Sequence, residues 1–311
     1  MRRLDSTLNR IARESLPCKN RWMPSPTVQV PPIANRKTAE DSPAAGLRAA
    51  SALRVGHDGR TAFNDRVIEE TPVAMLYNGI AYAVMMATSC DLEDFALGFA
   101  LSEGVVEHAR EFELVDCLRT EHGISLQALI PQARLDALEQ RKRNLAGRSG
   151  CGLCGVESLQ EAVRPVRRIE SNARVKTATI RRGLRELSAR QPLNEASGGV
   201  HAAGFVYADG IVVREDVGRH NALDKLVGAL ARGTDAQAST AWRSGAGFLA
   251  ITSRASYEIV HKAAGAGIAV IAAISAPTSL AIELAEQAGV TLIGFARGSG
   301  MNVYAHSQRL R

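Results

Sequence analysis

The C-terminal third of the chain alternates between strand and helix patterns, and this alternation is its most restrictive feature. Apolar runs at 248–251, 268–274 and 290–295 have the length of buried strands, and the segments between them, 256–264 and 278–288, have helical spacing. A strand–helix–strand–helix–strand order requires right-handed crossovers and parallel pairing, so helices cover both faces of the sheet. An α/β fold is therefore expected in this region.

The region before this third is rich in hairpin signals. Asn78-Gly79 and Asp209-Gly210 each lie between two β-type runs, and both dipeptides accept the positive φ angles of tight turns. Residues 91–102 carry apolar side chains at helical spacing, and Gly104 follows as a stop signal. We therefore predict a mixed α/β (α+β) chain with three parts: an N-terminal α+β part (55–146), a Cys-x-x-Cys loop (147–156) and a C-terminal α/β part (157–311).

The first 54 residues differ from the rest in charge and composition. They contain ten Lys/Arg against four Asp/Glu, which accounts for the whole net charge of +6, so the remainder is formally neutral. Six prolines and few large apolar side chains occur between residues 17 and 52, and a disordered basic tail (1–54) is expected. A neutral remainder with 5% aromatic residues argues against a nucleic-acid-binding protein.

Cysteine usage and hydropathy indicate the cellular compartment in which the protein works. The five cysteines are unevenly spaced in a large chain and do not suggest a disulfide framework. The first 17 residues lack the apolar core of a signal peptide, and no run of ~18 apolar residues occurs that could span a bilayer. We therefore expect a cytoplasmic protein that does not enter a membrane.

Cys151 and Cys154 form a Cys-x-x-Cys pair in a glycine-rich segment. Four of the nine residues from Gly147 to Gly155 are glycine, which indicates a backbone that can move. A structural zinc site usually needs four ligands, so Cys90, Cys117 or a histidine would have to complete it. A thioredoxin-like pair would follow a strand at a helix N-terminus, an arrangement that the glycines disfavour.

Sulfur relay is the interpretation that fits the pair best. A thiolate accepts the outer sulfur of a donor persulfide and carries it to an acceptor, which requires an accessible thiolate, a mobile arm and a neighbour that resolves the persulfide. Arg148 and the basic residues 141–143 lie just upstream and would lower the thiol pKa. Cys151 follows Arg148 more closely, so we assign the persulfide to Cys151 and an assisting or resolving role to Cys154.

A ligand site is expected at the carboxyl ends of the three C-terminal strands. Ligands of open parallel sheets bind outside this edge, and the strands lead into residues 252–254, 275–279 and 295–300. Two of these segments precede helix N-termini, whose free N–H groups favour phosphate, and Arg254 and Arg297 add positive charge. We expect a nucleotide or pyrophosphate group here, with the alternative that the segments are ordinary caps and turns.

The segment Glu215–Lys225 is dense in polar groups. Asn221 and Asp224 are expected to cap the helix that follows. His201, in a loop further upstream, is expected to be structural. Three other side chains exceed what capping requires and suggest a site of unspecified role: Glu215, Asp216 and His220.

Zinc-dependent deamination would require two motifs that the chain lacks. No His-x-Glu occurs anywhere in the sequence. Gly150 precedes Cys151 where the deaminase pattern has proline. The paired cysteines therefore require another explanation than a deaminase zinc site.

Taken together, these segments resemble the FdhD family, the accessory sulfurtransferases of formate dehydrogenase. The resemblance runs from about residue 69 to residue 310 and leaves out the basic tail. The matching motifs, in chain order, are Glu70-Thr71-Pro72-Val73, Gly98-Phe99 with Ser102-Glu103-Gly104, Cys151-Gly152-Leu153-Cys154-Gly155, Glu215–Lys225, Ser253-Arg254-Ala255-Ser256-Tyr257-Glu258, Ser275–Leu280 and Leu292–Gly298.

The resemblance implies a specific chemistry. Cys151 would carry a persulfide received from a cysteine desulfurase, and the sulfur would pass to a molybdenum (or tungsten) bis-molybdopterin guanine dinucleotide cofactor before insertion into formate dehydrogenase. It further implies a cytidine deaminase-like core without the deaminase's catalytic residues, a homodimer, and no permanent cofactor or metal. The stretch that holds the guanine dinucleotide in the family matches Phe295, Ala296, Arg297, Gly298, Ser299 and Gly300.

Two hypotheses from different classes follow. The first is a sulfur carrier with a cysteine persulfide intermediate, a sulfurtransferase-type enzyme. The second is a zinc- or nucleotide-binding chaperone that escorts a cofactor or an apoenzyme without chemistry on its own cysteines. Replacing Cys151 by alanine separates them, because the loss of a structural zinc ligand would destabilise the fold.

Overall fold

The computed structural model describes residues 46–57, 59–146, 166, 168–298 and 300–311. Within these residues the chain forms twelve strands in three sheets and eight α-helices. All of them lie in one unit, residues 43–311. Most of the predicted basic tail lies outside the described residues.

The first sheet is a two-stranded antiparallel ribbon, β1 (Leu47–Gly56) and β2 (Gly59–Ile68). Its first strand begins at Leu47, within the segment 1–54 that the sequence analysis assigned to the basic tail. Most of its side chains are exposed, including Leu53 and Val55. With neither face buried, the strands lack the apolar alternation by which a strand is recognised.

The second sheet has four strands in the order β4-β3-β6-β5. The turn predicted at Asn78-Gly79 is confirmed, with φ angles of 50° and 81°. Strands β3 and β6 pair in parallel, so the sheet is more than a series of hairpins. Helix α1 (Leu92–Ser102) covers one face with Phe95 and Phe99, and α2 (Gln132–Ala146) follows the last strand. The strands are β3 (Thr71–Tyr77), β4 (Ile80–Ala87), β5 (Glu113–Thr120) and β6 (Gly123–Leu129).

The third sheet has six strands in the order β12-β11-β10-β9-β7-β8. Parallel pairing of β9, β10 and β11, predicted from the strand–helix alternation, is confirmed, and so is the mixed α/β class. The deaminase-like core remains an expectation drawn from the resemblance. The strands are β7 (His201–Val206), β8 (Ile211–Asp216), β9 (Phe248–Ile251), β10 (Val270–Ala273), β11 (Thr291–Arg297) and β12 (Gly300–Ala305).

Helices pack on both faces of the six-stranded sheet. The six helices are α3 (Thr177–Ala189), α4 (Pro192–Ser197), α5 (Arg219–Arg232), α6 (Ala236–Arg243), α7 (Tyr257–Gly265) and α8 (Ser279–Ala288). Four of them, α5, α6, α7 and α8, bury apolar side chains in one core cluster, and α3 contributes Ile180, Leu184 and Leu187 to another. In the part of the chain that the structure describes, no helix is both long and apolar enough to cross a membrane.

Helices α1 and α5 join the four-stranded and six-stranded sheets by direct backbone contact. A Cβ atom placed on Gly98 would lie 1.7 Å from the Asp224 carbonyl oxygen, and one on Gly228 would lie 1.8 Å from the Asp94 carbonyl oxygen. Only glycine permits this approach at the two crossing points. The contact places the start of α5 directly beside the end of β4.

Candidate functional site

The carboxyl ends of β9, β10 and β11 meet at one edge of the six-stranded sheet. The loops that follow them are hydrogen-bonded to one another: the Thr278 amide donates to the Ala255 carbonyl at 3.1 Å, and the Phe295 amide to the Ser275 carbonyl at 3.1 Å. The structure therefore brings together segments 252–254, 275–279 and 295–300, as the strand order predicted. We call this region the carboxyl edge.

The β11–β12 turn gives the carboxyl edge an exposed aromatic ring and two residues with positive φ angles. Phe295 has a φ angle of 51°, in the left-handed region, and its side chain is 38% exposed. Gly298 has a φ angle of 59° in the turn, and Ala296 between them is buried. Arg297 is exposed, whereas Ser299 lies outside the described residues. An exposed ring next to a turn of glycine and arginine suits a ligand with a planar base and an anionic group.

The helices that begin at this edge differ in their N-terminal caps. At α8, the Thr278 hydroxyl accepts a hydrogen bond from the Ala281 amide at 3.3 Å, which is ordinary capping. At α7 and α5, the N-cap residues Ser256 and Gly218 make no side-chain capping bond. Within the described parts of the chain, two of the three helix N-termini at the edge thus have no side-chain cap.

His220 pairs with Glu258 at the edge. Its Nε2 lies 2.7 Å from Glu258 Oε2 and 3.4 Å from the Ser256 hydroxyl. The hydrogen bond to His220 lowers the pKa of Glu258, so that the carboxylate stays charged. His201 begins β7 at the same edge, and burial, Arg219 and His220 lower the pKa of its imidazole. His201, expected to be structural, therefore belongs to the edge.

Arg219 is a residue that sequence reasoning did not single out. It is the first residue of α5, and its Nε is buried and has no hydrogen-bond partner among the described residues. A guanidinium nitrogen without a partner at a helix N-terminus suits an anionic ligand. The signal available in the sequence was a basic residue directly after Gly218, at the start of a predicted helix.

The remaining polar residues of Glu215–Lys225 are structural. Asn221 and Asp224 do not cap α5, because the N-cap is Gly218. Asn221 donates to the Met86 carbonyl at 2.7 Å and to Asp216 Oδ1 at 2.9 Å, and so ties α5 to the end of β4. The capping prediction for Asn221 and Asp224 is wrong because both side chains point into the contact with the four-stranded sheet.

Two buried ion pairs lie in the same contact between α5 and its neighbours. Lys225 Nζ lies 2.7 Å from Asp216 Oδ2, and both side chains are fully buried. Lys262 Nζ lies 2.9 Å from Asp224 Oδ2, and Asp224 Oδ1 also accepts the Ser102 hydroxyl at 2.5 Å.

Glu215 caps a helix rather than forming part of the edge. Its carboxylate accepts the amides of Leu193 and Asn194 at 3.0 and 2.9 Å, at the start of α4. Burial raises the pKa of Glu215, and these two hydrogen bonds oppose that shift. Glu215, Asp216 and Asp224 thus have structural roles, while Arg219 and His220 are members of the segment that lie at the edge.

The paired cysteines Cys151 and Cys154 lie outside the described residues. Cys90, which is half-buried, and Cys117, which is exposed, are free thiols, and burial raises the pKa of both. Among the described residues, no group of three or more His, Cys, Asp and Glu side chains is arranged to hold a metal ion.

Two cavities lie away from the carboxyl edge. A groove of about 990 Å³ runs along the opposite edge of the six-stranded sheet, beside residues 169–176 and Phe248 at the start of β9. A smaller cavity of about 420 Å³ is lined by Cys90, Arg190 and Arg214 among others.

The chain is similar to known proteins over most of its length. A sequence model of the FdhD/NarQ family matches residues 68–311. The sulfur carrier protein FdhD of Xanthomonas campestris pv. campestris (strain B100) is 53% identical over 262 residues, which cover 83% of this chain and 90% of that protein. The sulfur carrier protein FdhD of Cupriavidus necator is 51% identical over 249 residues, covering 79% and 84%.

A solved structure matches the fold. The crystal structure of a proposed formate dehydrogenase accessory protein from Desulfotalea psychrophila superposes with a TM-score of 0.64, covering 85% of this chain and 99% of that chain at 24% identity. The family match and these relatives confirm the resemblance drawn from the motifs. The chain belongs to the FdhD/NarQ family.

Proposed function

We propose that this protein is a sulfur carrier that accepts sulfur on Cys151 and delivers it to a molybdenum bis-molybdopterin guanine dinucleotide cofactor bound at the carboxyl edge. The observation that carries the proposal is the Cys151-x-x-Cys154 pair, in a chain about half identical to proteins named as sulfur carriers. The cofactor would be cargo destined for formate dehydrogenase rather than a permanent group of this protein.

The first transfer conserves the oxidation level of sulfur. The Cys151 thiolate attacks the outer sulfur of a persulfide on a cysteine desulfurase. The donor's S–S bond breaks, a new S–S bond forms on Cys151, and the donor cysteine leaves as a thiolate. The basic residues upstream of Cys151 support this step, because positive charge raises the thiolate fraction at neutral pH.

The second transfer gives Cys154 its role. Its thiol attacks the inner sulfur of the Cys151 persulfide, so that a Cys151–Cys154 disulfide forms and the outer sulfur leaves as hydrosulfide. The outer sulfur is reduced by two electrons and the two thiols are oxidised by two. An external thiol reductant must then reduce the disulfide before the next cycle.

The carboxyl edge supports the choice of cargo. Phe295 offers an exposed ring for a base, and Arg254 and Arg297 offer guanidinium groups for phosphate. Gly298 holds a backbone angle that leaves the turn open to a ligand. Ala296, Ser299 and Gly300 complete the stretch that would bind the guanine dinucleotide. The proposal also includes a homodimer that works in the cytoplasm with a cysteine desulfurase and apo-formate dehydrogenase as partners.

Mass spectrometry under non-reducing conditions tests the carrier role. The full chain is incubated with a cysteine desulfurase and cysteine, and peptides are mapped for added sulfur. We expect one added sulfur atom on Cys151 in metal-free protein, and none in Cys151→Ala. A matched control replaces Cys90 and Cys117, the two described cysteines, by alanine and should leave the labelling of Cys151 unchanged.

The same samples distinguish the chaperone hypothesis. Unmodified Cys151 and Cys154 together with stoichiometric zinc would overturn the carrier proposal, and Cys151→Ala would then lose fold stability. A carrier instead predicts that Cys151→Ala keeps the wild-type melting temperature while formate dehydrogenase maturation is lost.

A further inference from the structure

The groove at the start of the parallel strands is separate from the carboxyl edge. It has a volume of about 990 Å³, with residues 169–176 lining one part of it and residues 206–208 and 242–248 lining another. Because β9 begins here at Phe248 and runs parallel to β10, this end of the sheet is opposite to the carboxyl edge. We call it the amino-edge groove.

The segment 168–176, which lines the groove, is an extended stretch in which exposed residues alternate with less exposed ones. The Ile169 amide donates to the Ala288 carbonyl at 2.8 Å. The Val175 amide donates to the Arg309 carbonyl at 2.9 Å. The Ser171 carbonyl accepts a hydrogen bond from Arg309 Nε at 3.2 Å. These three odd-numbered positions therefore fix the segment to the neighbouring chain.

The residues between these positions leave their backbone groups available. Among the described residues, the amides and carbonyls of Glu170, Asn172 and Arg174 have no hydrogen-bond partner, and all three residues are exposed. In an extended chain, alternate residues present their N–H and C=O groups to opposite sides. One side of the segment is thus a free edge, to which an extended peptide can add as a further strand.

The charge around the groove is mostly positive. Arg174, Lys176 and Arg243 line it and are exposed, and none of them forms an ion pair with another described residue. Glu170 is the one acid among the described residues that line it. Three cations against one acid favour a bound segment that carries carboxylates.

Aromatic side chains give the groove fixed walls. Trp242 Nε1 donates to the Ala266 carbonyl at 2.8 Å, and both residues line the groove. The Tyr207 hydroxyl donates to Asp235 Oδ2 at 3.0 Å. Because these hydrogen bonds already hold the two rings, neither ring has to be ordered when a segment binds, which lowers the entropic cost of binding.

We propose that the amino-edge groove binds an acidic segment of a partner protein in extended conformation, added as a strand to residues 170–174. The partner is the protein that donates sulfur, an assignment that rests on the function proposed above. Ile169 follows Cys154 by only about 15 residues, which span at most about 50 Å, so a partner held here is within reach of the cysteine pair. The cofactor that would accept the sulfur is proposed at the opposite edge, which leaves this groove to the donor.

Fluorescence anisotropy of the full chain with a fluorescein-labelled peptide of alternating glutamate and threonine tests the groove. We expect Arg174→Gln/Arg243→Gln to weaken binding about fivefold or more, and we expect the affinity of the wild type to fall as the salt concentration rises. The matched control is Arg110→Gln/Arg185→Gln, which removes the same charge at two exposed arginines outside the groove and should bind as the wild type does.

Two further peptides separate strand addition from simple charge attraction. The same peptide methylated on every backbone nitrogen keeps its charge but donates no N–H to the free edge, so it should bind about tenfold more weakly. A peptide of alternating lysine and threonine should not bind. Equal binding by wild type and Arg174→Gln/Arg243→Gln, undiminished binding of the methylated peptide, or binding of the lysine peptide would overturn the groove as a site for an acidic strand.

The rate at which a persulfide-loaded cysteine desulfurase transfers sulfur to Cys151 tests the choice of partner. Mass spectrometry follows the transfer, and loading by inorganic polysulfide gives the reference rate for each variant. We expect Arg174→Gln/Arg243→Gln to be about fivefold slower than Arg110→Gln/Arg185→Gln. Equal rates would overturn the sulfur donor as the partner. Groove-dependent peptide binding in a protein that never acquires a persulfide would leave the acidic-strand site standing and overturn the carrier role.

Discussion

The contact between α1 and α5 and the carboxyl edge use charge in opposite ways, although α5 belongs to both. In the contact, four cations have carboxylate partners among the described residues: Lys225 pairs with Asp216, Lys262 with Asp224, and Arg214 and Arg232 with Asp94. At the edge, Arg219 has no ion-pair partner among the described residues, and burial, Arg219 and His220 lower the pKa of His201.

The difference indicates which charges serve the fold and which serve a ligand. A buried ion in the contact is stable only with its counter-ion, so removing one partner leaves an uncompensated charge. At the edge, Arg219 has no ion-pair partner among the described residues, so we expect its removal to cost less stability than the loss of a buried partner in the contact. The predictions below test whether the two regions differ in this way.

The largest expected effect is a loss of folding stability when a buried ion pair of the α1–α5 contact is broken. Lys225→Met should lower the free energy of unfolding by about 3–5 kcal/mol, because it leaves the fully buried Asp216 carboxylate without its cation. Denaturant unfolding monitored by circular dichroism measures the change. The control is Arg134→Met, which removes pairs with Glu107 and Glu111 in which every partner keeps contact with solvent, and it should cost about 1 kcal/mol or less. Equal losses in the two variants would contradict the distinction between the regions.

A smaller effect is expected from the backbone contact of the same helices. Gly228→Ala places a Cβ within 1.8 Å of the Asp94 carbonyl oxygen, so α1 and α5 must separate. We expect a loss of about 3 kcal/mol in the free energy of unfolding. Gly265→Ala is the matched control, because a Cβ at Gly265 in α7 would lie 3.9 Å from the nearest atom, the Ser102 carbonyl oxygen. The control should stay within about 0.5 kcal/mol of the wild type, and a loss as large as that of Gly228→Ala would show that helical glycines in general, not this contact, are sensitive.

The smallest effect is a change in pH dependence at the edge. The pKa of His201 is lower in the folded state than its ordinary value of 6.5, so on acidification the unfolded chain takes up the proton first and stability falls. His201→Asn removes this contribution, and its melting temperature should fall less steeply than that of the wild type between about pH 7 and pH 5. Arg219→Gln should flatten the profile in part, because Arg219 is one cause of the lowered pKa.

The control for this prediction is His122→Asn, since His122 is exposed in the β5–β6 turn. Its profile should follow the wild type. A His201→Asn profile identical to that of the wild type would show that burial, Arg219 and His220 do not lower the pKa of His201.

Parts of the fold with strong local signals were predictable from the sequence. The apolar run Phe248–Ile251 predicts a short buried strand, and Asn78-Gly79 predicts a tight hairpin turn; the structure has both. The β1–β2 ribbon was missed because neither of its faces is buried. The parallel pairing of β3 with β6 joins residues about 50 positions apart, and no local pattern specifies it.

The candidate site was predictable to a similar extent. Strand order placed segments 252–254, 275–279 and 295–300 at one edge, and their loops do meet there. The roles within Glu215–Lys225 were not predictable, because a polar residue at a helix start is equally consistent with a cap, an ion pair or a ligand contact. Asn221 and Asp224 have structural roles because their side chains bond to residues on other elements, Met86 and Lys262.

The sequence by itself therefore determined the family, the alternation that builds the parallel sheet, and the cysteine pair on which the proposed chemistry depends. Only the tertiary structure decided which charges are paired. Periodicity and turn chemistry act over a few residues and can be read along the chain. The pairing of Lys225 with Asp216, and the absence of a partner for Arg219 among the described residues, depend on how two sheets pack across α1 and α5. That packing is set by contacts between residues more than a hundred positions apart, such as Gly98 with Asp224.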